Sequence, residues 1–263
     1  MNDSEFYGPI RNVLRNIIIC AGEPLVPSES ILELFYQHLI SVTTSWIMKF
    51  QNTNLTFEGI LRVIQNQPRK LNRVFNYFRV LAGTSEFSLA EGDDFSLDSS
   101  RALNRFYDLC NTLKIVLPQD QTATVVQSPF MKGQKLRLHR IDRRISLMSV
   151  EEYLEFTKLR QSASFLSLIK LGAKQTFKLW IMHCENSLDD HTKERQSLFS
   201  ACSEKDDRTG LCLLAHLITD DILDLIDVVL YLRRKFAIEL SSPLTPIEIK
   251  QGIQQLRLLS SSF

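Results

Sequence analysis

The chain has 263 residues, a formal net charge of +1 at pH 7 and 44% hydrophobic residues. This length and composition are typical of a globular protein with one or two hydrophobic cores. A protein that neutralises many phosphates is normally strongly basic, so the near-zero charge argues against nucleic-acid wrapping as the main activity. No apolar run reaches the length of a membrane span, and the N-terminus lacks the basic and then apolar pattern of a secretory signal.

The first 82 residues show helical periodicity. The apolar spacing predicts the following helices: Phe6–Ile19, a long helix from Ile31 through Trp46, a short helix after Leu55-Thr56, and Lys70–Leu81. Thr56 is placed to cap the short helix. Ser30 and Glu33 form a candidate capping box for the long one.

Residues 83–148 are predicted to be a linker with one helix over about 101–117. Gly83–Ser100 is acidic and Ser-rich, and residues 118–134 are polar. The basic segment Lys135–Arg144 is interpreted as a solvated face of this linker. Nuclear localisation or phosphate contact is the alternative.

Residues 149–263 return to helical periodicity. Ser149 and Glu152 form a second capping box. Thr245 and Glu248 form a third, with Pro246 at the first helical position. The predicted elements are a helix over Ser149–Gln161, a basic helix over Lys170–Cys184 with Phe177, Trp180 and Ile181 inward, an irregular stretch Asn186–Arg208, a long helix Leu211–Phe236 preceded by Gly210, and a last helix after the link Ser241–Pro243.

The two long helices have apolar residues at the same intervals of four, four, three and four. Each is followed by a short link and a Leu-Thr pair, which indicates an internal repeat, although a plain helical hairpin is the alternative. A single long helix of this kind would expose a large apolar patch, so we expect the two to pair within one chain. The residues predicted to form this pairing interface are Ile31, Phe35, Leu39, Val42, Trp46, Leu214, Ile218, Ile222, Leu225 and Val229.

A short, a long and a short helix with an appended helix is the layout of a histone fold. We therefore predict an all-α protein with two histone folds in one chain that form an intramolecular histone-like pair. The predicted domains are a first histone fold with an extension helix over 1–82, the linker over 83–148, and a second histone fold with a preceding helix over 149–263.

Enzymatic and metal sites are not indicated by the sequence. It has no phosphate-binding glycine loop, dinucleotide fingerprint or nucleophile elbow, and we predict no catalytic activity and no cofactor. The five cysteines are scattered, which indicates reduced thiols in an intracellular protein. His183, Cys184 and His191 allow a weak zinc hypothesis with Cys202, but their spacing matches no established finger, and we predict no bound metal.

Three stretches resemble a known family. Asn66–Val74 resembles the segment after the third histone-fold helix in the small histone-fold subunit of TFIID and in its SAGA counterpart. Ser149–Phe165 resembles a Tyr-x-x-Phe…Arg-Gln-x-Ser-Phe stretch of that counterpart, the tandem-histone-fold suppressor-of-Ty subunit of the SAGA coactivator. Phe177–Ile181 follows in the expected order. The residues that match the motif are Tyr153, Phe156, Arg160, Gln161, Ser164 and Phe165.

This resemblance implies a non-enzymatic transcription coactivator subunit in the nucleus. Such a subunit docks in the core of a SAGA-like complex with other histone-fold proteins and binds TBP to help deliver it to RNA polymerase II promoters. It implies only indirect DNA contact, no membrane and no small-molecule substrate. The residues themselves leave two alternatives open: a sequence-tolerant DNA-binding histone-fold protein, and an unrelated helical scaffold or helical-bundle enzyme.

Overall fold

The computed structural model describes residues 4–24, 26–50, 53–85, 99–115, 128–169, 176–188, 198 and 204–260. Within these ranges every regular element is helical, which confirms the all-α fold class. The α-helices are α1 Ser4–Cys20, α2 Glu29–Lys49, α3 Phe57–Ile64, α4 Pro68–Ser85, α5 Ser99–Thr112, α6 Pro129–Ile145, α7 Val150–Ser162, α8 Thr176–Asn186, α9 Glu204–Lys235 and α10 Pro246–Ser260, with a short 3-10 helix over Phe165–Leu168. None of the helices in these ranges is both long and apolar enough to cross a membrane.

Several helices extend into segments that the sequence predicted to be irregular. α4 continues through Ser85 into the predicted acidic linker, and α6 begins at Pro129, inside the predicted polar loop. α9 begins at Glu204, so Gly210 lies within the helix instead of preceding it. Gly210 is accommodated inside α9 although glycine is a weak helix former, because the backbone of Leu55 approaches it too closely for a side chain. The remaining parts of the predicted linker and of the predicted irregular stretch lie outside the described residues.

The predicted capping box of α2 is wrong. The helix begins at Glu29, which places Ser30 inside the first turn. Glu33 instead accepts a hydrogen bond of 3.2 Å from Arg11 on α1. The other predicted caps are present. Thr56 Oγ1 accepts from the backbone N–H of Gly59 at 3.0 Å, as an N-cap threonine does. The Ser149–Glu152 and Thr245–Glu248 capping boxes also form.

The chain divides into two compact units. Residues 1–48, 122–195 and 214–263 form unit 1, and residues 49–121 and 196–213 form unit 2. Each unit combines segments that are far apart in the sequence. These segments do not follow the predicted domain boundaries at residues 82 and 148.

Unit 2 contains an aromatic cluster. Phe57 on α3 lies 5.1 Å from Phe78 on α4 and 6.4 Å from Phe106 on α5, measured between ring centroids. All three rings are almost fully buried. Gly210 is required in the same unit, because a Cβ at this position would lie 2.2 Å from the carbonyl oxygen of Leu55.

Unit 1 is built around α1, α2 and the C-terminal part of α9. α1 packs against α7, the 3-10 helix and α8. Phe6 on α1 makes an edge contact with Trp180 on α8 at 5.9 Å. Tyr7 contacts Tyr36 on α2 at 5.0 Å, so aromatic rings connect these helices.

The part of α9 that belongs to unit 1 is closely approached on two sides. A Cβ at Gly133 on α6 would lie 1.9 Å from the carbonyl oxygen of Asp227. A Cβ at Gly252 on α10 would lie 2.5 Å from Val229 Cγ2. Because neighbours cover α9 around its circumference, even Asp224 and Asp227 are buried, and the helix is not a simple amphipathic one.

Candidate functional site

The residues predicted to pair the long helices are buried with one exception. Val42 is half-buried, whereas the other members of the predicted interface are at most 5% exposed. Phe35 on α2 and Leu225 on α9 are both completely buried. This burial fits an apolar contact between long helices, while their assignment as a histone-like pair remains a prediction.

The two long helices touch at a specific hydrogen bond. The indole N–H of Trp46, near the end of α2, donates to Asp221 Oδ2 on α9 at 2.8 Å. Trp46 is 1% exposed, so its polar group needs a partner, and the neighbouring helix supplies it. The bond therefore links the C-terminal part of α2 to α9.

His38 lies in the same region and is electrically neutral. Burial lowers the pKa of His38 to about 4, although the charge of Asp221 acts in the opposite direction. Its Nε2 atom is buried and has no hydrogen-bond partner among the described residues. The side chain is therefore a packing group at neutral pH, in agreement with the usual role of a histidine on a helix face.

The basic segment Lys135–Arg144 is not a solvated linker face. It belongs to α6, and Arg137 Nε donates to Asp227 Oδ1 at 2.6 Å. Arg144 Nη1 donates to the carbonyl oxygen of Ile19 at 2.8 Å. The arginines of this segment therefore join α6 to α9 and to the end of α1.

Arg140 occupies the centre of that segment and is buried. Its Nη2 donates to the carbonyl oxygen of Ser242 at 2.8 Å and approaches Glu23 Oε2 at 3.4 Å. Glu23 also accepts from the backbone N–H of Leu244 at 3.0 Å. Burial raises the pKa of Glu23, and the charge of Arg140 acts against this shift. Gly22, with φ of +94°, leaves the space that Arg140 fills, because a Cβ there would lie 3.1 Å from Arg140 Cγ.

Arg233 also binds the link between α9 and α10, residues Ser241–Pro243. Its Nε and Nη2 donate to the two carboxylate oxygens of Glu248 at 2.7 and 2.8 Å, and its Nη1 donates to the carbonyl oxygen of Ser242 at 2.6 Å. Glu248 also closes the predicted capping box by accepting from the backbone N–H of Thr245 at 2.8 Å. Burial alone would raise the pKa of Glu248, but the hydrogen bonds from Arg233 and Thr245 lower it. The group formed by Glu23, Arg140, Arg233 and Glu248 is called the link clamp below.

The family-motif stretch divides into a buried and an exposed part. Phe156 on α7 and Phe165 on the 3-10 helix are buried. The backbone N–H of Phe165 donates to Thr219 Oγ1 on α9 at 3.3 Å, and Ser164 Oγ caps the 3-10 helix. Ser164 is half-buried, whereas the other motif residues face solvent: Tyr153, Arg160 and Gln161. The predicted Ser149–Glu152 capping box is confirmed.

The zinc hypothesis gains no support from the described part of the chain, which contains no group of three or more metal-binding side chains. His183 packs against Phe6 at 4.8 Å between ring centroids. Burial raises the pKa of Cys184 to about 12, so this thiol is protonated at neutral pH. His191 and Cys202 lie outside the described residues.

The link clamp has no signature in the local sequence pattern. Glu23 sits in the turn after α1, and nothing in its local pattern distinguishes a buried carboxylate from an exposed one. Arg233 is one of three consecutive basic residues in the last turn of α9, and nothing local distinguishes it from its exposed neighbours, yet it is 1% exposed. A signal was present for Asp227, since a long helix with apolar residues on every side must bury the polar residues among them.

The fold and the site define an all-α protein with one long helix, α9, and a link clamp of which Glu23, Arg140 and Arg233 are buried. In comparisons with known proteins, no family model, curated protein or solved structure matches the chain.

Proposed function

We propose that this chain is a tandem histone-fold adaptor of a SAGA-like transcription coactivator, which acts in the nucleus, binds TBP and helps deliver it to RNA polymerase II promoters. The observation that carries this proposal is the order of helices. Helices of 17, 21 and 8 residues (α1–α2–α3) and of 11, 32 and 15 residues (α8–α9–α10) each have the longest helix in the middle, and these two middle helices are joined by Trp46 and Asp221.

The environment of the basic segment favours an adaptor over a DNA-binding protein. A DNA-binding surface needs exposed cations that can reach phosphates. Arg137 and Arg140 are instead paired with carboxylates of the chain itself, and Arg144 donates to backbone carbonyl groups. The exposed cations of this segment that remain are Lys135 and Arg143.

The buried charges near α9 also fit a structural role. Asp227 is bound by Arg137, and Glu248 by Arg233. Paired charges of this kind hold elements together and are not held in reserve for proton transfer. An adaptor uses such a rigid frame to present surfaces to other subunits.

A direct binding experiment tests the proposal. The purified full chain is titrated against immobilised TBP and, separately, against a short DNA duplex at about 50 mM salt, where non-specific DNA binding is strong. We expect saturable TBP binding and little DNA binding. The tagged chain should also recover TBP and coactivator subunits from nuclear extract of the source cells.

The matched controls are Leu225→Asp, which places a charge at a fully buried position, and Leu258→Asp, at a position that is 57% exposed. The first should abolish TBP binding with the fold, and the second should leave both unchanged. Failure of the wild-type chain to bind TBP and to recover any coactivator subunit would contradict the proposal. DNA binding that weakens steeply with salt would favour the DNA-binding alternative.

A further inference from the structure

The apolar stripe on α9 continues beyond the part that α10 covers. α10 approaches closely at Gly252, where a Cβ would lie 2.5 Å from Val229 Cγ2. Leu232 and Phe236 follow Val229 on the same face, at intervals of three and four residues. Phe236 comes directly after α9, and its backbone N–H still donates to the carbonyl oxygen of Leu232 at 2.9 Å, as within an α-helix. Exposure rises along the stripe, because Val229 is 1% exposed, Leu232 is half-buried and Phe236 is 61% exposed.

Two isoleucines extend this exposed apolar surface. Ala237 has φ of +55°, and the backbone N–H of Ile238 donates to the carbonyl oxygen of Arg233 at 2.8 Å. This is the hydrogen bond of a Schellman turn, which folds the chain back against the last turn of the helix. Ile238 lies near Phe236 and is 42% exposed, and Ile247 in the first turn of α10 is 70% exposed. The backbone that carries these side chains is already ordered, which lowers the cost of binding a partner.

A shallow depression lies between these side chains. Its apolar wall is formed by Val229, Leu232, Phe236 and Ile238. Its volume is about 190 Å³. The charged groups in the wall, Arg233 and Glu248, are paired with each other, so an apolar group placed there leaves no charge newly unpaired. Small-molecule pockets usually measure about 300–1,000 Å³. The depression therefore suits one apolar side chain of a bound peptide and is too small for a small-molecule ligand.

The surface around the depression carries excess positive charge. Residues 229–251 contain every lining residue, and their charged members are Arg233, Arg234, Lys235, Glu239, Glu248 and Lys250. Because Arg233 pairs with Glu248, three exposed cations remain against one exposed carboxylate, which accepts a hydrogen bond from Ser241. Arg234, Lys235 and Lys250 form no ion pair with any residue in the described part of the chain. Lys235 Nζ lies 5.9 Å from the centroid of the Phe236 ring, so an uncompensated positive charge borders the apolar surface.

We propose that this surface at the end of α9 docks an acidic peptide segment of another protein. One large apolar side chain of the segment rests in the depression against Leu232 and Phe236, and its Asp or Glu side chains meet Lys235 and Lys250. The apolar contact supplies most of the affinity, as an anchor at the centre of an interface does. The charge pairs set the orientation and the association rate. The partner is defined by this chemistry, and the proposal does not depend on TBP binding.

Two other occupants match the surface less well. A two-fold pair of this chain would bring the same patch together from both copies, so the cations would face each other. A helix that binds a lipid surface presents a continuous apolar face. The exposed positions of α10 that follow Ile247 are instead polar or charged: Lys250, Gln251 and Gln254.

A random peptide library tests the proposal on the purified full chain. Phage that display short random peptides are first depleted on the immobilised Phe236→Ser chain and then selected on the wild-type chain. The enriched peptides are synthesised, and their binding is measured by fluorescence polarisation at low and at high salt. We expect a consensus of one large apolar residue flanked by Asp or Glu, with binding that weakens as the salt concentration rises.

Matched variants locate the binding on the chain. Phe236→Ser and Ile238→Ser should each weaken binding of the enriched peptides at least about tenfold. Leu147→Ser, at a position that is 78% exposed in the same unit, should leave the affinity unchanged. Thermal melting followed by circular dichroism checks that each variant keeps its helices, and Ile238→Ser takes over the depletion step if Phe236→Ser unfolds.

Charge reversal tests the acidic character of the partner. Lys235→Glu with Lys250→Glu should weaken binding at least about tenfold. The control is Lys132→Glu with Lys135→Glu on α6, which changes the net charge equally at exposed positions and should have no effect. The proposal is overturned if no enriched peptide distinguishes the wild-type chain from Phe236→Ser, if the consensus is neutral or basic, or if the two charge variants bind equally. It is also overturned if Phe236 is required for binding to anionic phospholipid vesicles or for self-association and not for peptide binding.

Discussion

The starts of the two short helices α3 and α10 share a sequence pattern but are held differently. In both, a buried leucine precedes a threonine that caps the helix. Leu55 is completely buried and Leu244 is 3% exposed. Thr56 accepts from the N3 backbone N–H of α3 at 3.0 Å, and Thr245 accepts from that of α10 at 3.4 Å. A buried leucine followed by a capping threonine thus occurs at the start of both helices.

The contacts beyond the cap differ. The third residue of α3 is Gly59, which has no side chain to return to the cap, and Glu58 pairs with Arg62 on the exposed side of the same helix. The third residue of α10 is Glu248, which closes the capping box and also binds the buried Arg233. The repeated Leu-Thr pattern therefore starts both helices in the same way. Only the start of α10 is also bound to a distant buried residue, because Arg233 contacts Glu248.

The largest effect is expected where the long helix itself is disrupted. Leu225→Asp should destabilise the fold by more than about 4 kcal/mol, because it places an unpaired charge at a completely buried position beside Gly252. Urea unfolding followed by circular dichroism measures the loss. Leu258→Asp, at a 57% exposed position, should change stability by less than about 0.5 kcal/mol. Equal midpoints for the two variants would show that Leu225 is not buried.

The next variant removes the difference between the two helix starts. Arg233→Ala should cost about 3 kcal/mol, because it leaves the mostly buried carboxylate of Glu248 without its cation and removes one of the two arginine donors to the carbonyl oxygen of Ser242. The neighbouring Arg234 is exposed, and Arg234→Ala should cost less than about 0.5 kcal/mol. The same denaturant titration measures both variants. Similar losses of unfolding free energy would show that the contacts of Arg233 do not stabilise the fold.

The helical parts of this fold could be predicted because periodicity and caps are local. The stripe from Leu214 to Val229 is buried as the spacing requires, and the Thr245–Glu248 capping box forms as predicted. The link clamp could not be predicted, since Glu23 and Arg140 are 117 positions apart in sequence and their pairing depends on packing. For the same reason the prediction for the basic segment Lys135–Arg144 was wrong. Its sequence shows the positive charges but not the carboxylates of Asp227 and Glu23 that pair with them.

The long helices also differ in how they accommodate polar groups, and the pH dependence of folding stability is expected to show this difference. α9 buries Asp227 paired with Arg137, whereas α2 carries the half-buried His38 in its neutral form. The folded pKa of His38 is about 4, below its ordinary value of 6.5. The unfolded chain therefore binds the proton more tightly, and stability is lost as the pH falls from about 6.5 towards about 4.

This shift predicts a loss of about 2 kcal/mol between pH 7 and pH 5 that depends on His38. It is measured as the difference in pH dependence between the wild-type chain and His38→Gln by urea unfolding. His139→Gln, at an exposed position, is the control and should keep the wild-type profile. An unchanged profile in His38→Gln would mean that this histidine is accessible to solvent when folded.

The smallest effect compares the two caps directly. Thr56→Ala removes the hydrogen bond to Gly59 N, with no carboxylate from the N3 position to replace it, and should cost about 1 kcal/mol. Thr245→Ala should cost about half as much, because Glu248 still accepts from the backbone N–H of residue 245 and remains bound to Arg233. Thr56→Ser and Thr245→Ser keep the capping oxygen and serve as controls. If Thr245→Ala proves the more damaging of the two, the clamp does not support the second helix start as the hydrogen bonds indicate.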